Sequence, residues 1–343
     1  MKRLLNTLYV TSPNRYLSLD GENVVVLEAQ EEIGRVPLHN LQSIVTFGYT
    51  GASPALMGTC AKRNIDLTFM SGSGKFLARV TGEEKGNVTL RKQQYRISEN
   101  KEKSINIAKN FIFGKVYNTR WILERAVRDH SLRLDAERMK EKSAFLYHSL
   151  QKIRVCEDSS KLLGLEGEAA SVYFSVFDQL ILQQKENFFF RERSRRPPLD
   201  KVNAMLSFAY SLLAGMCGSA LEAVGLDPYV GFYHTDRPGR ISLALDVMEE
   251  LRGVMADRFI LTMINRRIIK KENFIQKENG AVVLDESGRK IFLSAWQERK
   301  QDIIKHPFLN EKIEWGMVPH AQAMLLARYL RGDLDEYPPF LWK

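Results

Sequence analysis

The chain contains 343 residues, of which 44% are hydrophobic and 27% are charged, and it carries a formal net charge of +9. This length exceeds one core of roughly 100–200 residues and the composition is that of a globular protein, which excludes a miniprotein and a disordered chain. The positive charge favours a polyanionic partner, most commonly nucleic acid, with an anionic membrane surface as the alternative.

Residues 1–88 are predicted to form a small β-sandwich-like domain. Runs rich in bulky or β-branched residues and bounded by turn residues indicate strands at 16–19, 24–27, 43–47, 66–70 and 76–80. The first two flank Asp20-Gly21-Glu22-Asn23, which predicts a hairpin. One helix interrupts the strands: Ser53 is a good N-cap, Pro54 suits the first helical position, and the pattern ends near Arg63.

Residues 89–343 are predicted to form a larger all-α catalytic domain. From Leu90 onward the apolar residues recur with helical spacing, and glycine is scarce until Gly164. Helical patterns continue to residue 180 and return at 201–213, 243–269 and 320–330. A short hairpin near 281–293, with strands at 281–284 and 291–293, is expected as a β insert. The predicted fold class is therefore α+β, with a β-domain followed by an all-α domain.

The three cysteines, Cys60, Cys156 and Cys217, lie far apart in the sequence and fit neither a disulfide framework nor a zinc site. A reducing, cytoplasmic environment is therefore expected. The amino terminus begins like a signal peptide, but Asn6 and Thr7 interrupt its apolar run. We expect no stretch that approaches the about 20 apolar residues of a membrane-spanning helix, and hence no membrane partner.

Three short segments of the helical region carry residues suited to metal chemistry. Glu166 precedes an apolar helix, where a low dielectric strengthens the hold of a carboxylate on a cation. His234 follows aromatic residues and can act as a metal ligand. Asp246 and Glu249 are three residues apart, which places both carboxylates on one helix face.

Each of these segments also has a purely structural explanation, which is the commoner one for the segment taken alone. Glu166 can favour a helix N-terminus through the macrodipole. His234 can be a turn histidine that is hydrogen-bonded to backbone, and Glu249 can pair with Arg252 on a solvated face. Only the combination of carboxylate, histidine and carboxylate pair points to a hard oxygen and nitrogen site for Mg²⁺ or Mn²⁺.

Basic residues near these segments are candidate contacts to the phosphates of DNA, although each one can also belong to a solvated charge run. The candidates are Arg193, Arg195, Arg196, Arg237, Arg240 and Arg252.

Five segments resemble those of the CRISPR-associated integrase family, the first of the core adaptation proteins, and they occur in the family's order along the chain. The segments are Gly86-Asn87-Val88-Thr89-Leu90-Arg91, Gly164-Leu165-Glu166-Gly167, Arg195-Arg196-Pro197-Pro198-Leu199-Asp200-Lys201-Val202-Asn203, Gly231-Phe232-Tyr233-His234-Thr235 and Leu245-Asp246-Val247-Met248-Glu249-Glu250-Leu251-Arg252. The residues of these segments are most similar to those of the type I-C branch of the family.

The resemblance implies an N-terminal β-domain and a C-terminal α-domain that holds one divalent metal ion. Glu166, His234 and Glu249 fall on the family's three metal-ligand positions, and Asp246 falls on a further acidic position beside the ion. The family often has aspartate at the last ligand position, and Glu249 is one methylene longer. The remaining acidic residues of these segments, Glu168 and Glu250, match no ligand position.

The resemblance also implies partners and an activity. Family members form homodimers through the β-domain, and two dimers flank a dimer of the small second adaptation protein in a heterohexamer that holds double-stranded DNA. The expected function is a metal-dependent DNA integrase of CRISPR adaptation, which inserts short fragments into the repeat array by 3′-hydroxyl attack on a phosphodiester. With water as the nucleophile the same site would act as a DNA endonuclease. The alternatives are a stand-alone, structure-selective repair nuclease and a non-catalytic DNA-bridging subunit with a merely structural acidic cluster.

Overall fold

The computed structural model describes residues 6–48, 51–71, 76–80, 82 and 88–343, so Gly86 and Asn87 of the first resembling segment lie outside the described residues. The chain groups into two compact units. One contains the described residues of 1–85 together with 272–275 and 283–302, and the other contains those of 86–271 with 276–282 and 303–343. A strand-rich N-terminal region followed by a larger helical region confirms the α+β fold class. The domain bounds 1–88 and 89–343 stay a prediction.

The described strands and α-helices alternate along the chain as follows. The strands are β1 (Thr7–Val10), β2 (Arg15–Asp20), β3 (Asn23–Glu28), β4 (Glu31–Pro37), β5 (Ser43–Phe47), β6 (Asp66–Met70), β7 (Phe76–Val80), β8 (Phe274–Gln276), β9 (Val282–Leu284), β10 (Ile303–Lys305) and β11 (Lys312–Glu314). The helices are α1 (Pro54–Arg63), α2 (Val88–Glu99), α3 (Lys101–His130), α4 (Ala136–Arg154), α5 (Ser159–Phe174), α6 (Lys201–Ala223), α7 (Ser242–Leu251), α8 (Arg258–Asn265), α9 (Glu286–Gln301) and α10 (Val318–Arg331).

Two sheets form the N-terminal region. One has the order β1-β5-β6-β7, in which Val45 of the parallel core strand β5 lies opposite Tyr9 and Thr68, and the other is the antiparallel β2-β3-β4. Leu17 from one sheet and Ile44 from the other lie fully buried in the same apolar core. The sequence therefore located β2, β3, β5, β6 and β7 correctly, but it missed β1 and β4. Strand β4 contains charged and exposed side chains, because it lies at a sheet edge where no apolar alternation is required.

Helix α1 begins and ends as its sequence predicts. The Ser53 hydroxyl accepts a hydrogen bond from the Leu56 amide at 3.2 Å, and Pro54 occupies the first turn. The helix ends at Asn64, whose φ of 54° is a left-handed conformation that asparagine tolerates better than most residues.

The predicted hairpin near 281–293 is wrong in its second strand. Strand β9 pairs with β8, which precedes it, whereas residues 291–293 lie inside helix α9. The Asp285 carboxylate accepts from the Gly288 amide at 2.6 Å, so the segment that was interpreted as a turn is the N-cap of a helix. The larger region is also not all-α, because β8–β9 and β10–β11 form two small ladders within residues 274–314.

Helix α6 is a longer apolar segment than the sequence analysis expected anywhere in the chain. Lys201–Ala223 is long and apolar enough to cross a membrane by length and composition, and no charged residue occurs between Val202 and Leu221. However, 67% of its most apolar window is buried inside the protein, where the helix packs against α7 and α10. This burial is that of a core helix, so the composition of α6 reflects its packing.

Lys300, on α9, is a buried ammonium group and gives a prediction about stability. Its Nζ donates to Thr7 Oγ1 at 2.9 Å and to Gln297 Oε1 at 3.3 Å, and burial lowers the pKa of Lys300 to about 8. Because the pKa of Lys300 is lower in the folded than in the unfolded state, protonation of Lys300 lowers the free energy of unfolding. This loss of stability is complete below pH 8 and disappears as the pH rises from about 8 to about 10. We expect Lys300→Met to raise the free energy of unfolding at pH 7 by about 3 kcal/mol at most.

Urea denaturation at pH 7 and at pH 10 measures this effect, with the exposed Lys290→Met on the same helix as the control. The gain for Lys300→Met should shrink at pH 10. An equal gain at both pH values would show that packing, rather than the buried charge, is responsible.

Candidate active site

Three helices bring charged side chains together from distant parts of the sequence. Helix α3, which carries Lys115, packs against α5, which carries Glu166, and against α7, which carries Glu249. Helices α3 and α7 approach closely at Gly114, where an added Cβ would lie 2.8 Å from the Cβ of Glu250. This close approach places Lys115, the next residue of α3, beside Glu249.

The ammonium of Lys115 lies between two carboxylates. Its Nζ is 2.8 Å from Glu249 Oε2 and contacts Glu166 Oε1. The three side chains are only 12% (Lys115), 4% (Glu249) and 17% (Glu166) exposed, so their attraction is weakly screened by water. Burial alone would raise the pKa of Glu249, but Arg252 and Lys115 outweigh burial and lower that pKa to about 2. Glu249 is therefore an anion throughout the physiological pH range.

His234 is held by Asp246 and faces Glu249. Its Nδ1 lies 2.6 Å from Asp246 Oδ1, and its Nε2 lies 3.8 Å from Glu249 Oε1. In a neutral imidazole, a proton on Nδ1 that is shared with Asp246 leaves the lone pair of Nε2 directed toward Glu249. A carboxylate that orients a histidine in this way is the usual support of a metal-ligating imidazole.

Asp246 also shapes the loop that precedes α7. Its fully buried carboxylate accepts hydrogen bonds from the backbone amides of Phe232 (2.7 Å), Tyr233 (2.9 Å) and His234 (2.9 Å). A Cβ at Gly231 would lie 2.9 Å from Asp246 Oδ2, so glycine leaves room for this carboxylate. The resemblance implied a position for Asp246 beside the ion, and that role stays a prediction. In the structure its carboxylate contacts His234 Nδ1 and three backbone amides.

We expect Asp246→Asn to lower the free energy of unfolding by about 3 kcal/mol, because an amide nitrogen would face donors that now bind a carboxylate oxygen. Urea denaturation measures this loss. The matched control is Asp236→Asn, which makes the same substitution on an exposed residue of the same loop. Asp236 accepts a hydrogen bond from the Gly231 amide at 3.2 Å. Equal effects of the two variants would contradict the supporting role of Asp246.

Two further side chains complete the site. The Tyr233 hydroxyl lies 3.4 Å from Glu166 Oε2, and burial followed by the charge of Glu166 raises the pKa of Tyr233, so the phenol stays protonated and remains a donor. Arg252 Nη2 lies 2.9 Å from Glu249 Oε1. Arg252 begins a π-helical turn, Arg252–Asp257, that joins α7 to α8, and such turns occur frequently at functional sites.

The structure brings together Glu166, His234 and Glu249, as the sequence predicted, and adds Arg252 to them. Their roles as metal ligands stay a prediction. Two of the other basic candidates, Arg193 and Arg195, line a cleft together with Lys115. Within the described residues, the three ligand candidates are not in contact with the remaining basic candidates, which are Arg196, Arg237 and Arg240.

The two acidic residues that were set aside lie away from the charge cluster. Glu168 is exposed, and Glu250 is buried against Tyr337 Oη and the Phe340 amide. Sequence reasoning missed Lys115 and Tyr233. Lys115 could have been noticed in the sequence, because it is the one charged residue between Phe111 and Tyr117, a stretch whose other residues are apolar, aromatic or glycine.

The ammonium of Lys115 occupies the position between the carboxylates of two ligand candidates, Glu166 and Glu249. Within residues 6–48, 51–71, 76–80, 82 and 88–343, no three histidine, cysteine, aspartate or glutamate side chains are arranged to hold an ion as they stand. The cation between Glu166 and Glu249 is instead the ammonium of Lys115.

Comparison with known proteins identifies what the chain is similar to. The family profile described as CRISPR associated protein Cas1 matches residues 8–298. The CRISPR-associated endonuclease Cas1 2 of Rhodospirillum rubrum is 52% identical over 347 aligned residues, which cover 100% of each chain. A casposase bound to integration product has a TM-score of 0.83 at 23% identity, covering 98% of this chain and 94% of that one. A Cas6-RT-Cas1–Cas2 complex has a TM-score of 0.82 at 21% identity, covering 98% and 36%. At these identities the two structures show a shared fold.

Proposed function

Because this chain belongs to the Cas1 family of CRISPR-associated proteins, we propose that it is a metal-dependent DNA endonuclease and integrase of CRISPR adaptation. One observation carries the proposal: the ammonium of Lys115 contacts the carboxylates of Glu166 and Glu249, and His234 Nε2 lies 3.8 Å from Glu249 Oε1. A site that already holds one cation between two carboxylates has the charge that a metal ion requires.

The residues fit a hard divalent cation. Glu166 and Glu249 supply carboxylate oxygens and His234 supplies Nε2, a donor set that suits Mg²⁺ or Mn²⁺. Glu249 Oε2 is buried and, within the described residues, has no hydrogen-bond partner besides its ion pair with Lys115. When bound, a divalent ion supplies positive charge that orients a phosphodiester and stabilises the charge that develops on it.

The chain's own residues prepare this site. Asp246 fixes the orientation of His234, Arg252 holds Glu249, and the Tyr233 hydroxyl is placed to donate to Glu166. In the proposed reaction the 3′-hydroxyl of a DNA fragment attacks a phosphodiester of the repeat. One phosphorus–oxygen bond forms as another breaks, so no ATP is consumed. With water in place of the hydroxyl, the reaction is hydrolysis of the DNA strand.

The finer parts of the proposal rest on the resemblance of the sequence to the family. They are membership of the type I-C branch, Mg²⁺ or Mn²⁺ as the metal, a cytoplasmic location, double-stranded DNA as the substrate, homodimerisation, and assembly with the small second adaptation protein into a heterohexamer. The net charge of +9 supports the DNA partner.

A strand-joining assay tests the function. A labelled short duplex is mixed with a supercoiled plasmid that carries the repeat, Mn²⁺, and the chain with or without the second adaptation protein. Covalent label on the plasmid, lost in EDTA and lost when the fragment ends in a 3′-deoxynucleotide, is the expected result. Shortened strands without joining would indicate a stand-alone nuclease, and the absence of any metal-dependent product would indicate a DNA-bridging subunit.

A further inference from the structure

We infer that the chain has a phosphate cleft, separate from the metal ligands, that grips one phosphate group of the DNA strand beside the reacting one. The phosphate cleft is a cavity of about 30 Å³. Its charged lining residues are Lys115, Arg193, Arg195, Arg252 and Asp257, and its hydroxyl-bearing lining residues are Thr119, Tyr173 and Tyr210. The inference rests on the proposed function in one respect: it takes the ligand to be DNA.

The charges of the lining favour an anion. Four cations face one carboxylate, and the Tyr210 hydroxyl donates to that carboxylate, Asp257, at 2.6 Å. Burial raises the pKa of Asp257 to about 6, so this carboxylate is still mostly ionised at pH 7 and offsets one positive charge. Lys115 and Arg252 are already paired with the carboxylates of Glu166 and Glu249. The positive charge that no contacting carboxylate of the described residues neutralises therefore remains on Arg193 and Arg195, in a setting where water screens charge poorly.

The two central guanidinium groups are held in place before any ligand binds. Those of Arg193 and Arg252 lie 5.5 and 5.0 Å from the centre of the Tyr210 ring. Arg193 also donates to Asn203 Oδ1 at 2.7 Å and to Ser207 Oγ at 3.1 Å. Because these side chains have already lost their rotamer freedom, binding a ligand costs them little further entropy.

Arg193 forms no ion pair with a carboxylate among the described residues. Its hydrogen-bond acceptors within residues 88–343 are neutral, and burial, which outweighs the more distant charge of Asp257, lowers the pKa of Arg193. Arg252 differs, since it is paired with Glu249. An oxyanion in the phosphate cleft would supply the charge that Arg193 lacks, and the planar guanidinium fork suits the oxygens of a phosphate.

The cleft has room for the oxygens of a phosphate. A volume of about 30 Å³ exceeds the roughly 10–15 Å³ that one water molecule needs, so the non-bridging oxygens of a phosphate fit in it. Lys115 and Arg252 contact Glu249 and also line the cleft, so a phosphate held there lies next to the metal ligands. Binding at this point would set which phosphodiester of the strand reaches the metal site.

The first test measures DNA binding in EDTA, where no strand chemistry interferes. We expect Arg193→Gln to weaken binding of a short duplex with a single-stranded 3′ end by about tenfold, and to reduce the slope of log affinity against log salt by about one. The matched control is Arg191→Gln, which removes the same charge from an exposed residue of the same segment and should change affinity less than about twofold. Equal affinities and slopes for Arg193→Gln and the wild-type chain would overturn the inference.

The decisive part of the second test uses the wild-type chain, so it does not depend on whether Arg193→Gln folds. Single methylphosphonate groups, which remove the charge of one phosphate, are placed in turn along the strand and binding to the wild-type chain is measured. We expect one position to weaken binding far more than its neighbours, and this penalty to vanish with Arg193→Gln. A uniform penalty at all positions would overturn the phosphate cleft, whereas failure of strand joining with this binding pattern intact would overturn only the proposed function.

Discussion

Replacing Glu166 by glutamine is expected to reduce strand joining and strand cleavage by on the order of 10³-fold, while the chain stays folded and still binds DNA. Glutamine keeps the size of the side chain but removes the negative charge that now faces the ammonium of Lys115. The Glu166 side chain is 17% exposed, compared with 4% for Glu249, so the loss of its charge should change catalysis more than stability.

The control for this experiment is Glu168→Gln, because Glu168 lies one residue beyond Gly167 on the same helix and is exposed. The two variants change the net charge equally. Product yield in the strand-joining assay should fall only for Glu166→Gln, and DNA binding in EDTA should be similar for both. Joining by Glu166→Gln at the rate of Glu168→Gln would remove Glu166 from the active site.

Lys115→Met is expected to bind Mn²⁺ at least about tenfold more tightly than the wild-type chain, because a metal ion that enters between Glu166 and Glu249 must displace or repel the ammonium. The same variant should unfold at a lower temperature in EDTA, since two shielded carboxylates lose their shared partner. Titration calorimetry measures the first effect and thermal unfolding the second. Neither measurement requires an active enzyme.

Lys103→Met is the control, because Lys103 is an exposed residue of the same helix and its removal changes the net charge equally. Its metal affinity and its unfolding temperature should match those of the wild-type chain. If Lys115→Met bound Mn²⁺ more weakly than the control, Lys115 would be a support of the metal site and not a competitor for it.

Much of the fold could be predicted because local physical rules act on neighbouring residues. The hairpin of β2 and β3 and helix α1, with its Ser53 cap and Pro54, follow from turn chemistry and capping alone. The failure at 291–293 has the same origin: Asp285-Glu286-Ser287-Gly288 suits both a turn and a helix start, and only the hydrogen bond from the Gly288 amide to Asp285 distinguishes them.

The candidate site was predicted in its membership but not in its geometry. The resemblance selected Glu166, His234 and Glu249, which lie near one another in the structure, and it set aside Glu168, which is exposed, and Glu250, which is bound to Tyr337 and Phe340. The roles of these residues toward a metal ion stay predictions. Helical spacing alone predicts that Asp246 and Glu249 have equal access to an ion, because both lie on one helix face. In the structure Asp246 is turned toward His234 and three backbone amides, a difference that depends on the conformation of the preceding loop.

The sequence by itself therefore determined the fold class, the family and the three residues proposed as metal ligands, because capping, periodicity and short ordered segments are properties of residues close together in the chain. Only the tertiary structure decided that Lys115 lies between Glu166 and Glu249 and that Arg193 and Arg252 flank Tyr210. These contacts join helices and loops that are far apart in sequence. They depend on how closely the helices approach, as at Gly114, and this distance is set by packing in three dimensions.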